Sequence, residues 1–239
     1  MTPIVYAIGD VHGRDDLLAT IHDYIQDYHE FMHPDHPAQL VHLGDYVDGG
    51  PDSITVIDRL RGEVNGYANI CLLGNHEAMM LACLESDDPQ AWNNWQDNGG
   101  NATLASLSLS TSRKNCSAAL LRQALGTDRI AWLRSLPRLC QIGRYVFVHA
   151  GIRPLVPIKQ QDPNDLIWIR GPFLESDLDH GFIVVHGHTP ADEPVVKPNR
   201  ICVDTGATSN GILTAAVLNG SADPVFLRAQ GPASCYKTN

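Results

Sequence analysis

The chain has 239 residues, 44% of them apolar and 18% charged, an ordinary globular composition that excludes a largely disordered protein. Its formal net charge of −10 and pI near 5.4 argue against nucleic acid or an anionic membrane surface as partner. No apolar run reaches the roughly 20 residues of a membrane helix, and Met1 to Tyr6 carries no basic leader, so a cytoplasmic location is expected.

The first half alternates strand and helix signals. Ile4 to Ile8 is a short apolar run ending in Gly9-Asp10. Residues 14–31 place Leu17, Leu18, Ile21, Tyr24, Ile25 and Tyr28 at helical spacing. Leu40 to Leu43 predicts a second strand, and Ile54, Ile57 and Leu60 predict a helix after Pro51. Asn69 to Leu73 predicts a third strand, followed by a helix carrying Met79, Met80, Cys83 and Leu84. Residues 86–117 are rich in Asp, Asn, Gly and Ser and read as a lid-like surface excursion, with Trp92 and Trp95 as its packing. Helical signal resumes over 117–136, and strands are predicted at 145–149, 182–186, 200–204 and 212–218. The expected fold class is α/β (α+β): a central mixed sheet, or two packed sheets in a β-sandwich, flanked by helices. Residues 1–239 are expected to form one domain. The six cysteines are scattered, with no Cys-x-x-Cys pair, and read as reduced thiols.

Polar residues recur where the apolar runs stop. Asp10 and His12 follow the first strand, Asp45 and Asp48 the second, and Asn75, His76 and Glu77 the third. His149 and His188 follow two later strands. Strand ends at the carboxyl edge of an α/β sheet form the crevice where ligands collect. Carboxylate, imidazole and amide donors without a thiolate suit hard or borderline divalent ions. Asp10, His12, Asp45, Asn75, His149 and His188 are too many ligands for one open site but suit two ions sharing a carboxylate. Such ions lower the pKa of bound water from about 15.7 to about 7, so no Ser or Cys nucleophile is needed.

The ordered motifs Gly9-Asp10-Val11-His12-Gly13, Gly44-Asp45-Tyr46-Val47-Asp48-Gly49-Gly50, Gly74-Asn75-His76-Glu77, His149-Ala150-Gly151 and Gly187-His188 resemble those of the calcineurin-like metallophosphoesterases. The resemblance is to the phosphoprotein phosphatase branch, bacterial serine/threonine phosphatases in particular, and runs from Gly9 to about Leu218. It implies a metallophosphoesterase-like fold and hydrolysis of phosphomonoesters, on phosphoserine, phosphothreonine or phosphotyrosine in proteins, by a metal-bridging hydroxide. It places Asp10 and His12 on one ion, Asp45 between two, and Asn75, His149 and His188 on the second. His76, paired with Asp48, is the implied general acid; Asn75 and Arg170 are the implied phosphate contacts. Two Mn²⁺ ions are expected, with Fe or Zn as alternatives.

One position departs from the family pattern. Where the family carries a phosphate-gripping arginine, this chain has Gly49. Arg14 and Arg153 are candidates to replace it, and the change is expected to shift substrate preference rather than abolish activity. A dinucleoside polyphosphate hydrolase such as a diadenosine tetraphosphatase is the alternative function. A non-catalytic metal-binding module is a remote one, since all six ligands and His76 are present. His22, His29, His33, His36, His42, His180 and His186 read as structural, Glu77 as support for a helix start, and Asp204 as a loop anchor. The implied partner is a phosphorylated protein or small phosphoester; no oligomeric state is specified.

Overall fold

The computed structural model describes residues 3–220 and 223–233. Its strands in chain order are β1 (Ile4–Ile8), β2 (Ala38–His42), β3 (Ala68–Cys71), β4 (Leu139–Ile142), β5 (Tyr145–Val148), β6 (Ile183–His186), β7 (Val195–Lys197), β8 (Arg200–Cys202), β9 (Ile212–Leu218) and β10 (Val225–Gln230). They form two mixed five-stranded sheets, ordered β10-β9-β1-β2-β3 and β4-β5-β6-β8-β7. Strands β1, β2 and β3 run parallel, as do β5, β6 and β8. The expected helix-flanked pair of sheets is the observed architecture.

The alternation of side chains along a strand explains the layers. Val5 and Ala7 turn into the layer between the sheets, against Val41, Leu72, Phe147, Val185 and Ile201. Ile4, Tyr6 and Ile8 turn the other way, beneath Leu17, Leu18, Ile21 and Ile25 of α1 (Asp15–Met32). Strand β1 is therefore apolar at every position because both faces are covered. On the far side of the second sheet, Val146, Val148 and Val184 pack against Leu166, Ile167, Ile169 and Phe173.

Helix α2 (Ser53–Arg61) and α3 (Asn75–Glu85) follow the sequence expectation. The 86–117 segment is more ordered than its composition implies. It contains α4 (Pro89–Trp95) and α5 (Asn101–Ser106), joined through a kink at Asn98 and Gly99 where the backbone leaves helical geometry, and Trp92 and Trp95 are buried in the main core. Gly99, at φ 97°, kinks this segment and interrupts the helical periodicity. The predicted 117–136 helix is two, α6 (Ala118–Leu125) and α7 (Thr127–Ser135), parted at Gly126 with φ 77°. Two further short helices, α8 (Asp165–Trp168) and α9 (Gly171–Leu174), cover the second sheet. Strands β4, β7 and β10 are sheet edges whose half-exposed residues give no apolar run to read. No described helix is long and apolar enough to cross a membrane. Cys71, Cys83, Cys116, Cys140 and Cys202 are free thiols; Cys235 lies outside the described residues.

A buried histidine pair ties α1 to β2. Asn69 Oδ1 lies 2.8 Å from His42 Nδ1 and accepts its proton, which leaves His42 Nε2 to accept from His22 Nε2 at 2.9 Å. Burial, reinforced by the charge of Arg59, pushes His22 down to about 4 from an ordinary 6.5. Above pH 6.5 the site is neutral in both folded and unfolded chains. As pH falls from there toward 4, the unfolded chain takes up a proton the folded one refuses, so stability is lost. About 2 kcal/mol should disappear between pH 7 and 5 from this group. Guanidinium unfolding of wild type and His22→Gln, which cannot titrate, should show that difference in pH slope; equal slopes contradict it.

Candidate active site

The six parallel strands end at one cleft of about 250 Å³. Asp10 follows β1, Asp45 follows β2, and Asn75 opens α3 after β3. His149, His188 and Asp204 follow β5, β6 and β8. All but the fully buried His149 line the cleft, together with His12, His76, Trp168, Arg170 and Thr208. Asp204, expected to anchor a loop near the site, lines the cleft itself and is a sixth strand-end residue of the same kind. The signal was available: Val203-Asp204-Thr205-Gly206 ends an apolar run as the other motifs do.

Two sets of donors converge within 4.8 Å: His12, Asp45 and His76, and Asp45, His149 and His188. Asp45 belongs to both. His149 Nε2 lies 2.8 Å from Asn75 Oδ1, 3.2 Å from His188 Nδ1 and 3.3 Å from Asp45 Oδ2. His149 Nδ1 donates to Leu43 O at 2.9 Å, and His12 Nδ1 donates to Val47 O at 3.0 Å. These backbone bonds fix each ring and turn its Nε2 toward the carboxylates, the orientation a metal-binding imidazole requires. His12 Nε2 is 3.7 Å from Asp45 Oδ2.

The charges also fit cations. Asp10 Oδ1 is buried without a hydrogen-bond partner, although Oδ2 accepts from His188 N at 2.8 Å. An orphaned carboxylate oxygen is costly unless a cation satisfies it. Burial, then the charges of Asp204 and Asp45, push the Asp10 carboxyl well above its ordinary value. Burial and the charge of His149 push His188 down to about 3, which keeps it neutral and able to ligate. Burial opposes ionisation of Asp45, but the imidazoles of His149, His76 and His12 hold its carboxyl well below the usual range. Close approach is built into the backbone. A Cβ at Gly187 would collide with Asp10 Oδ1, and one at Gly74 with Asp45 Oδ1. His12, Asp45, Asp48 and His188 all have positive φ, between 47° and 71°, a concentration of backbone strain typical of functional sites.

His76, a member of the first set, has its Nδ1 2.8 Å from Asp48 Oδ2. Burial lowers the His76 pKa, but Asp45 and Asp48 outweigh it and raise it to about 9. The imidazole is therefore protonated near neutrality and able to deliver a proton. Asp48 is fully buried and held in turn by Trp95 Nε1 at 2.9 Å and Thr103 Oγ1 at 2.6 Å. The 86–117 segment thus supports the site from behind through Trp95 and Thr103, a function its composition did not reveal. Glu77 binds no candidate ligand side chain; it accepts from the backbone N–H groups of Gly74, Asp45, Tyr46 and Val47 and locks the α3 start to the β2 loop.

Arg170 reaches the cleft, with Nη2 donating to His188 O at 3.3 Å. Arg14 and Arg153 do not. Arg14 is turned away onto Asp16 and Ala207 O, and Arg153 is paired with Asp165 outside the cleft. The expectation that either replaces the arginine missing at Gly49 is therefore corrected: each guanidinium is already engaged elsewhere. A Cβ at Gly49 would stand 3.1 Å from Thr208 Cγ2 and 3.7 Å from His12 Cβ, on the cleft wall.

Two sheets whose parallel strands all end at one donor-lined cleft form an architecture suited to a metal-dependent hydrolase. The chain matches the calcineurin-like phosphoesterase family model over residues 4–213 and belongs to that family; it is a metal-dependent hydrolase of phosphoesters. It is 28% identical over 222 residues to serine/threonine-protein phosphatase 1 of Salmonella typhimurium, covering 89% of this chain and 90% of that one. It is 31% identical over 156 residues to a symmetrical bis(5'-nucleosyl)-tetraphosphatase of Nitrosospira multiformis, covering 65% of this chain and 46% of that enzyme. In fold it resembles a crystal structure provisionally named a diadenosine tetraphosphatase, with TM-score 0.68 over 97% of this chain and 96% of that one at 23% identity. A cold-active protein-tyrosine phosphatase of Shewanella has TM-score 0.60 over 96% of this chain and 81% of its own, at 19% identity.

Proposed function

We propose that this chain hydrolyses phosphomonoesters, with phosphorylated serine, threonine or tyrosine side chains of proteins as the substrate class. The observation that carries this choice is the charge of the cleft. Among the described residues, Arg170 is the single Lys or Arg lining it, against three carboxylates at Asp10, Asp45 and Asp204. Set against those three carboxylates, two divalent cations and one guanidinium leave about two positive charges, enough for a single phosphoryl dianion. A tetraphosphate chain spreads about four charges over a longer track and calls for more cationic side chains along it. A dinucleoside polyphosphate substrate is the second reading, favoured by the similarity to the Nitrosospira enzyme.

Asp10 and His12 would hold one ion, Asn75, His149 and His188 the other, with Asp45 shared. Their oxygen and nitrogen donors suit Mn²⁺, with Fe or Zn as alternatives. Bound ions would supply Lewis-acid charge and an acidified water. Arg170 would orient the phosphoryl oxygens through its planar fork, assisted by the Asn75 amide and the positive end of α3. His76, aligned by Asp48, would hand its proton to the leaving oxygen.

A panel of phosphoserine, phosphothreonine and phosphotyrosine peptides, p-nitrophenyl phosphate and diadenosine tetraphosphate tests this with Mn²⁺ and with chelator. The best phosphopeptide should exceed diadenosine tetraphosphate in kcat/KM by at least about tenfold, and chelator should abolish turnover. The reverse order would transfer the assignment to the second reading.

A further inference from the structure

Trp168 ends α8 as a 42% exposed residue, while its neighbours Leu166, Ile167 and Ile169 are buried in the layer beneath. The indole lines the cleft two residues before Arg170 and meets the His188 ring edge-on, with centroids 6.1 Å apart and planes at 87°. The turn that carries it is held on both sides. Ala150 N donates to Leu166 O at 2.8 Å, Ile169 N donates to Asp165 O at 3.0 Å, and Arg153 grips the Asp165 carboxylate through two bonds. A large flat ring is therefore presented to water at the mouth of a polar cleft by a rigid turn. Elsewhere that mouth offers small polar side chains such as Asn98 and Thr208. With glycine at 49, no long side chain projects from the wall beside Thr208.

The exposed part of the indole adds nothing to the core, but it gains from covering another flat ring, through area burial and offset or edge-to-face quadrupole contact. We propose that Trp168 seats the planar leaving group of an aryl phosphate, a phosphotyrosyl ring in a protein substrate, while Arg170 holds the phosphoryl group. Trp168 is then a specificity-determining residue that favours aryl over alkyl phosphomonoesters. This inference rests on the phosphomonoesterase function proposed above.

Trp168→Leu keeps an apolar side chain and removes the flat surface. With Mn²⁺, kcat/KM for a phosphotyrosine peptide should fall about tenfold, mainly through KM, while a phosphoserine peptide of the same sequence changes less than about twofold. Trp168→Phe should recover most of the loss. Independently of turnover, phenylphosphonate should quench the wild-type tryptophan fluorescence more than methylphosphonate does, and the difference should vanish in Trp168→Leu. Equal losses on both peptides would assign Trp168 to holding Arg170 and His188, and no loss on either would remove it from recognition; both outcomes overturn the inference. A loss confined to diadenosine tetraphosphate would overturn it in favour of a nucleobase. Absence of any wild-type phosphopeptide turnover would instead strike the phosphomonoesterase function itself.

Discussion

Asp45→Asn should lower kcat/KM for p-nitrophenyl phosphate by at least about a thousandfold, or about 4 kcal/mol of transition-state stabilisation, while the protein stays folded. Asp45 Oδ2 stands 3.3 Å from His149 Nε2, 3.7 Å from His12 Nε2 and 3.9 Å from His76 Nε2, at the junction of both donor sets. The amide keeps the volume but removes the one negative charge both sets share. Asparagine also tolerates the residue's left-handed backbone, φ 53°, better than any other replacement that carries a side chain. The backbone bond from Asp45 N to Glu77 remains. Thermal unfolding alongside the kinetics separates loss of chemistry from loss of fold. A near-wild-type rate in a folded Asp45→Asn protein contradicts the shared-ligand role.

His76→Asn should reduce kcat by about 10²–10⁴-fold with little change in bound metal. The effect should depend on the leaving group. An alkoxide leaving from phosphoserine needs a proton in the transition state, whereas p-nitrophenolate departs readily without one. The phosphoserine peptide should therefore lose more activity than p-nitrophenyl phosphate, and equal losses would mean that His76 acts on something other than the leaving oxygen. Asp48, with His76 Nδ1 at 2.8 Å, would make that proton delivery directional, and Trp95 and Thr103 fix Asp48 in turn.

Much of this cleft was legible in the sequence because short apolar strands stop at Gly-flanked Asp, Asn and His. Strand ends are local signals, and parallel topology brings them to one edge. Asp10, His12, Asp45, Asn75, His149 and His188 could be nominated together for that reason, and the structure brings them to one place. The support behind the cleft was not legible. Trp95 and Thr103 lie 47 and 55 positions from Asp48, so only tertiary folding shows that they bind its carboxylate. The kink at Asn98 and Gly99 hid the helical period of that segment. Arg14 illustrates the opposite error: adjacency to Gly13 suggested a cleft cation, but its rotamer runs to Asp16 and Ala207 O. The edge strands β4, β7 and β10 escaped notice because half-exposed pairing needs no apolar run.

Calorimetric titration of Mn²⁺ into chelator-treated protein, checked by elemental analysis, asks whether this cleft gathers a pair of ions. Wild type should bind two equivalents per chain, and folded Asp45→Asn should bind fewer than one. A wild-type chain that binds none or a single ion, or an Asp45→Asn chain that still binds two, would contradict the paired-cation site.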